Sequence, residues 1–213
     1  DLLDKAKLEK QIAGLESEKQ AFNRSKSSAK YKLQDYTVLL ESAQSRFNRM
    51  NLDWGNLKQR IQKHSDGTIA NPVQLDGLPL NADIKQIGIK LNQLADKSRT
   101  GGQYEEIGNL YGFTLLVKTE MSEKEGLDIR VNRFLVQGEG NIKYTYNNGL
   151  IAKDEKLAAM NFLNALEKLP SYIDQEKKKI VEIQKDLPVL QEVINGTWAK
   201  EDRLSELKTE LAS

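Results

Sequence analysis

The sequence predicts an α+β chain in which a long antiparallel helical coiled-coil hairpin carries a small inserted α+β head, an antiparallel meander plus one helix. Three observations lead there. An unbroken seven-residue spacing of apolar side chains runs through residues 8–61, short runs alternating with period two fill residues 103–146, and a second heptad pattern returns over residues 166–194.

The first arm, residues 1–64, carries Leu8, Leu15, Phe22, Ala29, Tyr36, Ala43, Met50 and Leu57 on one seam. A second seam four residues on holds Ile12, Leu33, Leu40, Phe47, Trp54 and Ile61, broken only at Lys19 and Lys26. No proline interrupts it, and Gly14 and Gly55 each cost about 1 kcal/mol relative to alanine, too little to end the helix. At 1.5 Å per residue such a helix is roughly 80 Å long and needs a partner helix along its length. Ser65-Asp66-Gly67 supplies the expected C-cap and turn, which puts His64 in the last helical turn, where the dipole favours it.

The head is expected over residues 65–152. Pro72, Gly77 and Pro79 punctuate a short strand and a turn, and Asn81 is a candidate cap for a helix with Ile84, Ile87, Leu91 and Leu94 on one face. Thr100-Gly101-Gly102 ends that helix. Turns at Gly112, residues 122–126, Gly138-Glu139-Gly140 and Asn147-Asn148-Gly149 then separate the strands of an antiparallel meander with one buried face. The alternation assigns Phe113, Leu115, Leu127, Ile129, Val131, Ile142, Tyr144 and Tyr146 to that face, covered by the helix at 81–97, and leaves Lys118, Arg130 and Lys143 together on the other.

The returning arm, residues 153–213, opens with Asp154 as cap and Leu157, Met160, Leu163 and Leu166 inward. Pro170 kinks or restarts the helix, Pro188 bends it, and Asn195-Gly196 breaks it. Thr197 is the expected cap of a last helix carrying Leu204, Leu207 and Leu211. Two arms of similar length around a short head favour a hairpin within one chain; a homodimer of parallel coiled coils is the alternative.

The 213 residues include 32 basic and 31 acidic side chains, for a net charge of +1, so overall charge argues neither for nor against nucleic acid. Zero cysteines exclude disulfides and thiolate metal sites and fit a reducing, cytoplasmic setting. No apolar run approaches the roughly 20 residues of a membrane span, and no signal peptide is recognisable, so no membrane partner is expected. The chain opens at Asp1 without Met and reads as a piece of a longer protein.

The single histidine has no second histidine or cysteine with which to build a triad or zinc site. Gly138-Glu139-Gly140 lacks the third glycine of a phosphate loop and joins two strands, and no Gly-Lys-Ser or Gly-Lys-Thr occurs. Asn71-Pro72 is followed by Val73, unlike the Asn-Pro-Pro-aromatic loop of amino-methylating enzymes. No catalytic residue, metal or cofactor is therefore expected. Lys118, Arg130 and Lys143 are the candidate nucleic-acid contacts, against the plainer alternative of a charged, solvated sheet face.

Residues 75–213, and more loosely the preceding arm, resemble the C-terminal region of large helicase/adenine-specific DNA methylase proteins of conjugative elements and phages. The resemblance rests on Ile107-Gly108-Asn109-Leu110-Tyr111-Gly112-Phe113, on the NFLNALEKLP stretch from Asn161 to Pro170, and on Leu204-Ser205-Glu206-Leu207. The segment 82–94 takes the place of that family's short helix before the Ile-Gly strand. The resemblance implies a non-catalytic accessory module of a DNA-processing protein on mobile elements, partnered by that protein's other domains, with DNA reached either directly or through the parent protein. The family's methylase and helicase motifs lie elsewhere, so it assigns no catalytic residue here.

Overall fold

The computed structural model describes residues 1–213, an α+β chain with one five-stranded antiparallel sheet. It divides into two compact units, residues 1–44 with 178–213 and residues 45–177. Helix α1 (Leu2–Arg60) passes Gly14 and Gly55 without a break.

In the helical unit, the residues of α1 turned from solvent are those of the two predicted seams, with Ile12, Ala29 and Ala43 buried. Ile12 packs with Leu204 and Leu207 of helix α5 (Glu201–Ala212), and Leu8, Leu15, Trp198 and Leu211 close round them. Burying each large aliphatic side chain contributes about 1.5–3 kcal/mol, so this small cluster outweighs the exposed ion pairs beside it. Those pairs are Glu16–Lys208 at 3.0 Å, Glu18–Lys200 at 2.8 Å and Lys19–Glu201 at 2.8 Å. Glu16 and Lys19 on α1 meet Lys208 and Glu201 on α5 in descending order, so the two helices run antiparallel. Helix α4 (Leu169–Asn195) takes Pro170 in its first turn and runs on through Pro188 to Asn195. Thr197 does not cap α5, whose start at Lys200 has no side-chain cap.

Lys19 and Lys26, the two interruptions of the second seam, face the non-helical link 196–200. The Lys26 ammonium donates to the Gly196 carbonyl at 2.9 Å, and that of Lys19 lies 5.9 Å from the Trp198 ring centroid. The first helix turns polar where the chain opposite ceases to be helical and offers a carbonyl oxygen.

The sheet unit contains strands β1 (Gln74–Leu75), β2 (Tyr104–Leu110), β3 (Phe113–Lys124), β4 (Leu127–Gln137) and β5 (Lys143–Tyr144), in spatial order β1-β2-β3-β4-β5. Helices α2 (Ile84–Lys97) and α3 (Glu155–Glu167) both bury their apolar faces in its core. Leu91, Leu115, Val117, Phe134, Val136, Phe162, Leu163 and Leu166 are its centre. Gly88 permits the close approach of α2 to α3: a Cβ there would stand 2.1 Å from the Glu155 carbonyl oxygen.

Several local expectations are corrected. Asp83 rather than Asn81 caps α2, because Gln86 stands three residues on and returns the hydrogen bond in a capping box. Helix α1 stops at Arg60, and Ser65-Asp66-Gly67 turns a small hairpin in which Lys63 pairs with Ile69. His64 thus lies outside the helix, its N–H donating to the Thr68 carbonyl. Leu157 is 53% exposed, since the close contact at Gly88 turns Ala158 and Ala159 inward instead.

The sheet is tied to α1 by a stripe of polar side chains at 49, 53, 56 and 60, spaced to share one helix face. Asp53 is fully buried; one carboxyl oxygen accepts the Gly140 N–H at 2.8 Å and the other accepts the Tyr144 hydroxyl at 2.6 Å. Gly140 is required there, because a Cβ would meet the Arg49 carbonyl oxygen at 2.4 Å and Asp53 Oδ2 at 2.7 Å. Asn56 and Arg60 both donate to Glu139, and Arg60 also donates to the Tyr111 carbonyl at 3.1 Å. The hydrogen bond from Arg60, then its charge, holds the Glu139 carboxyl below the usual carboxylate range. Asp53→Ala strands two buried donors, and we expect a loss of about 2–4 kcal/mol of stability in denaturant titration.

Burial, then the hydrogen bond to Asp53 and its charge, push the Tyr144 hydroxyl far above its ordinary value of 10.0. The folded chain keeps this proton after the unfolded chain has lost it. Its contribution is therefore complete below pH 10 and falls as pH rises beyond that, by up to about 1.4 kcal/mol per pH unit. Chemical denaturation between pH 9 and 11 should show this slope in the native chain and a flatter one in Tyr144→Phe.

Candidate nucleic-acid interface

The interface begins with the phase of β4. Val117 opposes Phe134 and Leu115 opposes Val136, and these four fill the core beneath α2 and α3. Alternation then carries Asn132 and Arg130 to the same face, and Leu127, Ile129 and Val131 to the other. This corrects the predicted facing. The apolar phase of β4 switches from odd to even positions across Asn132-Arg133, and the even phase prevails because it contains Phe134 and Val136. Leu127 is accordingly 68% exposed, and Arg130 sits behind the sheet relative to Lys118 and Lys143. Tyr146, also predicted inward, is exposed with the Lys168 ammonium 4.6 Å from its ring centroid.

Asn132 fixes that phase through hydrogen bonds. Its amide donates to the carbonyls of Ala95 at 2.8 Å and Ser98 at 3.1 Å, satisfying the C-terminal end of α2. Its own carbonyl accepts from the Thr119 hydroxyl at 2.6 Å. Thr119 and Thr100 exchange hydrogen bonds between each backbone N–H and the other's hydroxyl, at 2.8 and 2.9 Å. The chain leaving α2 is thus fastened to β3 where β2 begins.

On the face away from α2 and α3, Lys118 lies opposite Tyr104 on β2 and Arg133 on β4. The Lys118 and Lys143 ammonium groups stand 4.8 and 4.5 Å from the centroid of the Tyr104 ring, which remains 44% exposed. Each such contact is worth about 0.5–1 kcal/mol at an exposed site and holds a flexible lysine near an aromatic plane. Arg133 donates to Glu120 at 2.7 Å and to the Asn148 carbonyl at 2.6 Å, and Lys118 lies 3.8 Å from Glu120. Glu106 and Glu120 share this face, so Lys143, at its exposed end, carries charge that no carboxylate on the face takes up.

Arg130 meets Lys118 by another route. Past Tyr104 the β3–β4 ribbon extends without β2 beside it, leaving an open groove of about 680 Å³ lined by Arg99, Gly101, Gly102, Lys118, Glu120, Met121 and Arg130. A basic band therefore runs from Lys143 across Tyr104 to Lys118, and round the ribbon's edge to Arg130 and Arg99. Sequence reading passed over Tyr104, Arg133 and Arg99. The first two follow from the strand register, since each lies directly opposite Lys118.

A smaller cavity of about 180 Å³ is lined by Arg46, Tyr144, Tyr172, Gln175 and Glu176. Arg46 donates to the buried Glu176 there at 3.2 Å. Nowhere do three or more His, Cys, Asp or Glu side chains converge as a metal-binding group, and no helix is long and apolar enough to cross a membrane.

No curated protein and no solved structure matches the chain. Residues 58–166, just over half of it, match the family described as Domain of unknown function (DUF8438), and the matched span covers β1 through β5, α2, all but the last residue of α3 and the whole basic band. The chain belongs to this family.

Proposed function

We propose that the chain is a non-catalytic interaction module whose sheet unit contacts nucleic acid, single-stranded in the first instance, through the basic band around Tyr104. The observation that carries this reading is the pair of ammonium groups, from Lys118 and Lys143, converging on one exposed ring. Bases stack on aromatic rings whatever their identity, while neighbouring cations take the phosphates, so an aromatic side chain set among lysines suits a single strand. The groove with Arg99 and Arg130 prolongs the same charge along a path the backbone could follow. The resemblance to the C-terminal region of helicase/adenine-specific DNA methylase proteins supports placing this module in a larger DNA-processing protein.

Binding of the chain to labelled single- and double-stranded DNA, measured by fluorescence anisotropy at low and moderate salt, tests the reading. We expect preference for the single strand and an affinity that falls with salt, log K losing about 0.7 per log unit of salt for each phosphate contact. The combined change Lys118→Glu, Arg130→Glu and Lys143→Glu should abolish binding. Absence of binding at low salt, or binding untouched by the triple change, sinks the proposal.

For the helical unit, we propose an antiparallel coiled-coil hairpin within one chain, joining the module to the rest of its parent protein. The descending partners of Glu16, Lys19 and Lys26, which are Lys208, Glu201 and Gly196 in turn, support it. Because the chain has no cysteine, Glu16→Cys with Lys208→Cys gives a clean test. A short bis-maleimide should join the two within a monomer, whereas cross-linked dimers at low protein concentration would favour the parallel alternative.

A further inference from the structure

Strand β4 is paired to β3 along its whole length, but its other edge is met by β5 only at Val136 and Gln137. Beside Phe134 the chain at Gly149 covers that edge, a Cβ on Gly149 falling 3.2 Å from the Phe134 carbonyl oxygen. From 127 to 131 no strand pairs with that edge. Glu125 and Gly126, at φ 55° and 77°, form a two-residue type I′ turn, which makes Lys124 and Leu127 a hydrogen-bonded pair. The odd-numbered residues of β4 therefore bond to β3, and Asp128 and Arg130 turn their N–H and C=O outward, in the phase by which Val136 reaches β5. No other backbone group takes them up. An open strand edge beside exposed Leu127 and Ile129 is a template for another strand.

The edge is complementary to itself. We propose that residues 127–131 of β4 pair antiparallel with the same residues of a second copy of this chain, in the register that sets Asp128 opposite Arg130. Adjacent registers of the same hydrogen-bond phase oppose Asp128 to Asp128 or Arg130 to Arg130, like charges face to face. In the chosen register Asp128 and Arg130 exchange main-chain hydrogen bonds and their side chains form an ion pair, on both sides of a twofold axis. That axis passes between Ile129 and its symmetry mate, in the non-hydrogen-bonded position where side chains come closest. Leu127 meets Val131 on either side, so three apolar contacts share one face and two ion pairs the other. The two ribbons become one four-stranded sheet, β3-β4-β4-β3.

Sedimentation of the full chain without nucleic acid tests this with two charge variants on the exposed ribbon, each checked for native circular dichroism. Asp128→Arg alone and Arg130→Asp alone should each weaken the dimer about tenfold or more, because like charges then face each other twice. Mixing the two variants should restore a dimer of one copy each, since arginines then face aspartates throughout. A wild-type chain monomeric at every accessible concentration overturns the proposal, as does a dimer indifferent to both variants. Failure of the mixture to recover dimers overturns the pairing of this edge, because arginine then faces aspartate in each of the three registers.

Discussion

A single buried carboxyl group on a helix holds the edge of the sheet in place. Asp53 has no solvent to share its oxygens with, and both are taken by the far end of the meander, through the Gly140 N–H and the Tyr144 hydroxyl. Removing either partner would leave polar atoms buried and unmatched, an error costing more than the bond itself contributes. The arrangement demands a glycine at 140, a tyrosine at 144 and a helix that keeps its turn through residue 60. Asn56 and Arg60 extend the attachment to Glu139 and Tyr111. Much of what positions Lys143 near Tyr104 follows from this, because β5 leaves the held loop directly.

The two faces of the sheet meet different fates for a plain reason. Helices α2 and α3 cover one, and the other is dressed only by its own long side chains, lysines folded against a tyrosine and an arginine against a glutamate. That bare face and the unpaired ribbon are the places where the sheet unit still has bonding capacity to offer. Arg130 stands where the two surfaces meet. A guanidinium engaged by Asp128 of a second copy has less charge to give a phosphate, so association and nucleic-acid contact would compete at that residue while Lys118 and Lys143 stay outside the competition.

The long-range pattern of this fold was legible in the sequence wherever one face of an element met apolar surroundings over many residues. The seams of α1, the meander and the inward residues of α2 are all of this kind. Local choices between nearby polar residues were less legible, since Asn81 and Asp83 both cap well and only Gln86 three residues on decides between them. The facing of β4 was hidden because its apolar phase changes midway, and which half wins depends on Phe162 and the helices packed beneath. For the candidate site, the lysines were visible as outward residues, but the ring between them came from register. The stripe of Arg49, Asp53, Asn56 and Arg60 escaped notice because isolated polar residues on a long helix look like solvent-facing ones until something packs on them.

Lys19 and Lys26 carry a consequence beyond their own contacts. Paired helices with uniform apolar seams are close to periodic objects, and displacement by one heptad restores nearly the same packing. Here Lys19 and Lys26 stand seven apart, so a slide of seven residues puts one of them in the other's place and carries the second to a seam position held by Ile12 or Leu33, at a cost of several kcal/mol for a charge stripped of water. The two lysines act as an index mark. They cost some apolar contact and in return leave the helices one alignment that satisfies every group, as a keyed shaft fits its hub at one angle.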